Sequence, residues 1–180
     1  MISKDMSEHL GRQIGAELYS EHLYNAMAAW AMAQDLPGLS HWMRLQAEEE
    51  HIHAMKLFHY ILERDGEVVL PQIEAPETSW SNVQELLSSV AEHEKIITGL
   101  IYGLIDLAHQ ERDHSTTEFL QWYIAEQVEE EATANALIAK CKMLSEMPGG
   151  YYLLDQDLAG RQFSPELAAY LPNGAMFGKY

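Results

Sequence analysis

The sequence has a single cysteine, Cys141, so an internal disulfide is excluded and a reducing compartment is favoured. No apolar run is long enough to cross a membrane, and the first residues lack the apolar stretch of a signal peptide. We therefore expect a cytoplasmic protein without a membrane partner.

Basic residues are scarce as well. The chain carries 11 Lys and Arg against 28 Asp and Glu, and its formal net charge is -17. Nucleic acids bind to basic faces, so a nucleic-acid partner is not expected. The charge fits attraction of cations, and it fits equally well an acidic cytoplasmic protein with no such role. Apolar residues, at 47%, suffice for the core of one domain.

Alternating strand patterns are also missing, and apolar residues recur at helical spacing instead. A helix of about 27 residues is about 40 Å long, so short links between such helices join antiparallel neighbours. Pro37 and Gly38 provide one short link, between the first two helices. The periodicity predicts four long helices, at residues 7–34, 39–65, 83–112 and 116–146.

The connector at residues 66–82 has no helical pattern and contains Pro71 and Pro76. An extended chain of this length spans roughly 55 Å, enough to pass along the whole bundle and to start the third helix parallel to the second. Long structureless loops are uncommon in compact domains, and a crossover explains this one. The prediction is an all-α, four-helix bundle with one long crossover between the second and third helices.

A short fifth helix is predicted at residues 151–160, and Ser164-Pro165 resembles the start of one or two further turns at residues 165–171. We expect residues 1–160 to form the bundle domain with its fifth helix. Residues 161–180 are a C-terminal tail to which the sequence assigns no role.

Polar residues interrupt the apolar stripe of every long helix near its middle. In the second helix Glu50 interrupts the stripe, and His53 lies three residues further on the same face. Glu21, in the first helix, is a weaker candidate for an inward direction. The inward positions across the four helices are Glu17, Glu50, His53, Glu94, Gln127 and Glu130.

The stripes contain no Lys or Arg that would pair with these carboxylates. Burying unpaired carboxylates costs several kcal/mol per ion, so a bound cation is the simplest explanation. Oxygen donors with one imidazole suit iron or manganese, and zinc by affinity. The set suffices for two ions if Glu50 bridges them. A single acidic helix residue usually faces solvent, but four at matching depth make that alternative much weaker.

Other metal patterns are weaker. His51 and His53 point to different sides of a helix, and His93-Glu94 begins like a zinc-protease motif but lacks its second histidine. No phosphate-binding glycine loop and no nucleophile elbow occur. Six histidines are predicted to lie at the surface: His9, His22, His41, His59, His109 and His114.

Three segments resemble the non-haem bacterial ferritins, and the resemblance covers roughly residues 5–160. They are ELYSEHLY at 17–24, AEEEHIH at 47–53 and FLQWYIAEQVEEE at 119–131, and Glu94 adds to them. Symmetric di-metal bundles carry Glu-x-x-His on two helices. This chain has that motif once, at Glu50, whereas its fourth helix has Gln-x-x-Glu. The difference disfavours bacterioferritin and rubrerythrin sites and agrees with the ferritin pattern.

The resemblance implies a di-iron centre. Glu17, Glu50 and His53 would hold the first iron, and Glu50 would bridge to a second iron held by Glu94 and Glu130. Gln127 would lie beside them as a weak ligand or a supporting residue.

The resemblance also implies two further features. Tyr24 matches the family tyrosine that can hydrogen-bond near the di-iron centre and donate an electron, although a plain core aromatic would need no role. Glu49, Glu126 and Glu129 match a third iron site on the inner side of the bundle. The shared helix face of residues 126, 129 and 130 supports that site, and ordinary surface carboxylates are the alternative.

The implied activity is that of a ferroxidase and iron store. Fe(II) would be oxidised to Fe(III) with O2 or H2O2, and ferric mineral would form inside a shell of 24 subunits, without haem. Three alternatives stay open. They are a di-iron peroxidase or oxygenase, a haem-containing shell of bacterioferritin type, in which His51 would take the haem methionine's position, and a purely structural bundle.

Overall fold

The computed structural model describes residues 1–163 and Leu167, and within them it contains five α-helices and no strand. The four long helices, the crossover and the fifth helix predicted from the sequence are confirmed. The further turns predicted at residues 165–171 lie outside the described residues, Leu167 apart. The elements are α1 (Lys4–Ala33), α2 (Pro37–Glu63), α3 (Val83–Glu111), α4 (His114–Ser145) and α5 (Gly150–Leu158).

Side-chain caps define the starts of α1, α3 and α4. The Ser3 hydroxyl accepts a hydrogen bond from the Met6 amide, and Asn82 caps α3 in the same way. Asp113 accepts from the Thr116 amide at 3.1 Å. This cap begins α4 at residue 114, two residues earlier than the sequence predicts, because the Asp carboxylate satisfies an amide that the first turn leaves unpaired.

Helices α1 and α3 run in opposite directions. The Ser3 hydroxyl at the start of α1 donates to the Glu111 carboxylate at the end of α3, over 2.7 Å. Near the middle of both helices, the Ser20 hydroxyl lies 2.7 Å from the His93 ring nitrogen. The start of one helix therefore meets the end of the other.

Helices α2 and α4 are antiparallel as well. The Tyr60 hydroxyl, late in α2, lies 2.9 Å from the Thr116 hydroxyl, early in α4, and the Tyr123 hydroxyl donates to the His53 carbonyl at 2.8 Å. The Ile2 amide donates to the Arg64 carbonyl at 2.9 Å, so the start of α1 also meets the end of α2. Because α1 is antiparallel to both α2 and α3, α2 and α3 run parallel to each other. The connector at residues 64–82 therefore crosses the length of the bundle.

The apolar core is divided into two clusters. One cluster holds Leu23 to Ala31 of α1 and the neighbouring parts of the other helices, and the second holds Leu10 and Ile14 with their neighbours. Between the two clusters, each long helix contributes a stretch that supplies no fully buried residue to either cluster, although Ile52 in one of these stretches is itself buried. These stretches are residues 15–22, 48–53, 92–96 and 124–133. A layer of mainly polar side chains thus crosses the bundle at mid-length.

Helix α5 packs across the end of the bundle, against α2 and α4. The Leu39 amide donates to the buried Asp155 carboxylate at 2.8 Å, which ties α5 to the first turn of α2. None of the five helices, over residues 1–163, combines the length and apolar character that a membrane span needs.

We predict that Gly38→Ala loosens α5. A Cβ at this position would lie 1.8 Å from the Asp155 carbonyl oxygen, a backbone atom that can move only with α5. Such overpacking costs roughly 1–3 kcal/mol. Amide hydrogen exchange in α5 should therefore accelerate while exchange in α1 and α3 stays unchanged.

Gly99→Ala is the matched control, because a Cβ there would meet no atom within 4 Å among the described residues. It should leave α5 exchange unchanged and stabilise α3 by about 0.5–1 kcal/mol. Equal exchange of α5 in both variants would contradict the close packing at Gly38.

Candidate metal centre

The polar layer between the two apolar clusters brings carboxylates from all four long helices together. The second helix contributes both Glu50 and His53, because positions three apart share a helix face. Glu130 is half-buried, but one of its carboxylate oxygens is fully enclosed. Four further side chains of the layer are exposed by no more than 2%: Glu17, Glu50, His53 and Glu94.

The layer contains two groups of three side chains that can each hold a metal ion. Glu17, Glu50 and His53 offer ligand atoms that lie within 4.8 Å of one another, and Glu50, Glu94 and Glu130 do the same. Glu50 belongs to both groups. The geometry therefore offers two adjacent cation positions that share one carboxylate, as carboxylate-bridged di-metal centres do.

Several buried polar atoms of the layer lack a hydrogen-bond partner in the part of the chain that the structure describes, and they indicate what kind of ligand the layer can bind. Four buried atoms have no hydrogen-bond partner among the described residues: Glu17 Oε2, Glu50 Oε1, His53 Nε2 and Glu130 Oε2. Buried polar atoms are normally paired, so four orphans in one layer are unusual. All four are lone-pair donors of the kinds that bind iron, manganese or zinc. The residues present therefore fit a pair of metal ions.

The remaining polar atoms hold the ligands in place. Gln13 Nε2 donates to Glu17 Oε1 at 2.9 Å, and the Tyr24 hydroxyl donates to Glu94 Oε1. His53 Nδ1 lies 3.3 Å from Glu50 Oε2, and its Nε2 stays buried without a hydrogen-bond partner among the described residues. In Glu17, Glu50 and His53 such a contact fixes one atom of the side chain and leaves its other atom without a partner among the described residues.

Gln127 supports Glu94 from α4. Its amide nitrogen donates to Glu94 Oε2 at 3.2 Å and lies at the same distance from the Thr98 hydroxyl. Thr98 in turn donates to the Glu131 carboxylate at 2.6 Å. In this arrangement Gln127 acts as a hydrogen-bond donor to a ligand.

Burial and like charges raise the pKa of the central carboxyls. The pKa of Glu50 and of Glu130 lies well above the ordinary carboxyl value, first because both are buried and then because neighbouring carboxylates repel a further negative charge. Burial also raises the pKa of Glu17, although nearby His53 opposes the shift. The metal-free layer therefore retains protons that a bound cation would displace.

The Tyr24 hydroxyl is buried beside these carboxylates. Burial and then the charge of Glu94 raise its pKa well above the ordinary tyrosine value, so the phenol stays protonated. Its ring packs edge-on against Trp42, with 6.5 Å between the ring centroids. The tyrosine predicted to lie near the metal site is thus in contact with one of the predicted ligands.

The residues predicted to form a third iron site do not bring their ligand atoms together as closely as the two groups of the polar layer do. Glu49, Glu126 and Glu129 line one cavity, but they are not among the groups whose ligand atoms meet within 4.8 Å in the described part of the chain. Glu49 is buried, and its carboxylate is paired with Arg161. The cavity also contacts Glu130, so this set adjoins the di-metal layer.

Three outcomes differ from the sequence analysis or extend it. Glu21 does not point inward, because its carboxylate pairs with the exposed His51 at 3.0 Å on the surface side of α1. His93, which the sequence did not assign, is buried and bonded to Ser20. Gln13 also went unrecognised, although its position one turn before Glu17 is a usable signal.

We predict that Glu50→Gln stabilises the metal-free protein at neutral and alkaline pH. A raised folded-state pKa means that the folded protein binds the extra proton. The resulting stability is complete below the unfolded carboxyl pKa and is lost as pH rises through the folded value. Thermal unfolding in the presence of a chelator should therefore show a midpoint that falls with rising pH in the parent, and falls less in Glu50→Gln.

Glu48→Gln is the control, because Glu48 precedes Glu50 by two residues and is exposed. It should leave the pH dependence of the midpoint as it is in the parent. The same pH dependence in the parent and in Glu50→Gln would show that Glu50 is not the source of the buried charge.

Comparison with known proteins agrees with this geometry. The family model for the ferritin-like domain matches residues 7–144. The bacterial non-heme ferritin of Campylobacter jejuni is 36% identical over 156 residues, which cover 87% of this chain and 93% of that protein. A probable bacterial non-heme ferritin-like protein of Haemophilus influenzae is 37% identical, with 88% and 96% covered.

Solved structures give the same result. An open pore ferritin from the hyperthermophilic archaeon Archaeoglobus fulgidus superimposes with a TM-score of 0.88 at 44% identity, over 90% of this chain and 100% of that one. Both sequence and fold therefore match over nearly the whole bundle. The chain belongs to the ferritin family, and within it to the non-haem type represented by its bacterial relatives.

Proposed function

We propose that this protein stores iron and oxidises Fe(II) to Fe(III) at the metal centre between its two apolar clusters. The observation that carries the proposal is the pair of ligand groups that share Glu50, together with the four orphaned donor atoms that surround them. In this proposal Glu17, Glu50 and His53 bind one Fe(II), and Glu50, Glu94 and Glu130 bind the second.

The charge of the layer suits two ferrous ions. Four carboxylates carry four negative charges when ionised, which balance two divalent cations. Binding replaces the protons that the raised pKa values of Glu50 and Glu130 retain in the metal-free layer. When each iron loses one electron, the anionic oxygen donors stabilise the higher charge better than neutral ligands would.

The oxidant accepts two electrons from the pair of ions. With O2 the product is H2O2, and with H2O2 the product is water, in each case with two protons taken up. At rest Tyr24 keeps its proton and holds Glu94 in position. When it supplies a further electron to the oxidised centre, its phenolic proton passes to Glu94 Oε1, the acceptor of its hydrogen bond. Gln127 fixes Glu94 from the opposite side.

Storage follows if the oxidised ions leave toward an enclosed interior. The Archaeoglobus fulgidus neighbour is described as an open pore ferritin, and a pore implies an enclosed space. We propose that this chain forms a shell of 24 subunits in the cytoplasm. Its net charge of -17 per subunit would attract Fe(II) and favour ferric mineral on the inner surface. Glu49, Glu126 and Glu129 would receive a third ion on the way.

We predict that the Glu50→Ala, His53→Ala double variant loses rapid iron oxidation. It removes the shared carboxylate and the imidazole ligand, so the rate should fall by roughly a hundredfold, a loss typical of damaged metal sites. The measurement is ferric absorbance after mixing two Fe(II) per subunit with metal-free protein in air.

The Glu48→Ala, His51→Ala double variant is the matched control. It changes the same two residue types, two positions earlier on the same helix, where both side chains are exposed. It should oxidise iron like the parent, and the particle size of all variants is checked by sedimentation. If the Glu50→Ala, His53→Ala protein oxidised iron as fast as the parent, the site assignment would be wrong.

Tyr24→Phe separates the tyrosine from the ligands. The change keeps the ring against Trp42 and removes the hydroxyl that donates to Glu94. We expect two redox-inert Zn²⁺ ions to bind as in the parent, while iron oxidation slows several-fold, because one oriented hydrogen bond and one electron source are lost. An unchanged oxidation rate would assign Tyr24 to packing alone.

A further inference from the structure

A cavity connects the metal centre with the beginning of the C-terminal tail. Its volume is about 70 Å³, enough for several water molecules or a hydrated cation, since one water needs about 10–15 Å³. Tyr24 and Glu130 line it on the side of the metal centre, and Arg161 and Leu167 line it on the other side. The tail, to which the sequence assigned no role, therefore contributes to the surroundings of the site.

Arg161 is held in this cavity by four contacts. Its Nη2 donates to Glu49 Oε2 at 2.5 Å, and its Nη1 donates to the Trp42 carbonyl at 3.3 Å. The guanidinium lies 4.7 Å from the centre of the Trp42 ring, within the range of a cation–π contact. The Arg161 carbonyl lies 3.0 Å from the His41 ring nitrogen. These contacts fix both the backbone and the charged group.

The cavity is otherwise acidic. Four carboxylates line it, those of Glu49, Glu126, Glu129 and Glu130, and Arg161 is the one basic residue among its described lining. Glu130 also has an enclosed oxygen without a partner among the described residues. The guanidinium thus occupies the position beside Glu49 that a metal ion bridging Glu49 to the other carboxylates would need.

We propose that Arg161 acts as an internal cation that competes with a metal ion for Glu49. The proposal rests on the proposed function, because it concerns the ion that follows the first two. A third ion binds only when Glu49 exchanges the guanidinium for the metal, so it binds more weakly than the ions of the di-metal layer. Arg161 is therefore a positioning residue that orders the filling of the site, with the first two positions before the third.

The competition between Arg161 and a metal ion also explains why Glu49, Glu126 and Glu129 do not form a ligand group in the metal-free protein. While Arg161 holds Glu49, the ligand atoms of Glu49, Glu126 and Glu129 do not meet within 4.8 Å in the described part of the chain. Release of Arg161 removes the bond that orients Glu49 toward the tail. The carboxylate can then turn toward the other two.

The test is equilibrium dialysis of the metal-free, full-length protein against Zn²⁺, a probe that does not change oxidation state. The parent should bind two ions tightly and a third more weakly. In Arg161→Gln the third ion should bind about tenfold tighter, because one charge-assisted hydrogen bond no longer competes for Glu49, and the first two should be unchanged. Arg161→Lys keeps the charge and should stay within about threefold of the parent.

Two controls make the result specific. Arg44→Gln removes the same charge from an exposed position on α2, so it should leave the third affinity as in the parent. In a Glu49→Gln background the third ion should bind weakly whether residue 161 is Arg or Gln, because there is no longer a carboxylate at position 49 for which Arg161 and the metal compete. Circular dichroism verifies that each variant retains its helices.

An unchanged or weaker third ion in Arg161→Gln would overturn the proposal, as would an equal gain in Arg44→Gln. A gain from Arg161→Gln that persists in the Glu49→Gln background would overturn it too, because the effect would not pass through Glu49. Failure of the parent to bind the first two ions would instead overturn the proposed function, and this proposal with it.

Discussion

The structure depends on carboxylates that face one another in the core without a counter-charge. Glu17, Glu50, Glu94 and Glu130 come from four different helices, and no basic side chain of the described residues neutralises the two groups that they form with His53. Such a layer is unfavourable on its own, which the raised pKa values of Glu50 and Glu130 express. In the proposed function, a bound pair of cations removes the repulsion among these carboxylates, and that relief favours metal binding. The instability of the metal-free layer and its proposed affinity for metal therefore have one physical origin.

The rest of the fold keeps this layer in place. Two apolar clusters, one at each end, supply the burial that offsets a polar middle, and the antiparallel pairing of α1 with α3 and α2 with α4 aligns the four mid-points. The crossover at residues 64–82 permits that arrangement, because it returns the chain to the end where α3 must start. The packing thus holds the carboxylates of the polar layer between two apolar clusters, and the proposed pair of ions needs such a fixed arrangement.

Much of the fold and of the candidate site could be predicted from the sequence, because helical periodicity shows which side chains face the core. Glu50 and Glu94 interrupt otherwise regular apolar stripes, and both are buried in the structure. Periodicity reports nothing about contacts between distant segments. The pairing of Arg161 with Glu49 joins residues 112 positions apart, and no spacing rule contains it. The prediction that Glu21 points inward was wrong for a related reason. Glu21 lies at the edge of its apolar stripe, where its surface partner His51 determines the direction of the side chain.

The most direct measurement of the central claim is anomalous diffraction at the iron edge from crystals soaked anaerobically in Fe(II). We predict two ions per subunit in the polar layer, with Glu50 between them, Glu17 and His53 on one ion, and Glu94 and Glu130 on the other. Anomalous density confined to exposed carboxylates, or a single ion that Glu50 does not contact, would contradict it.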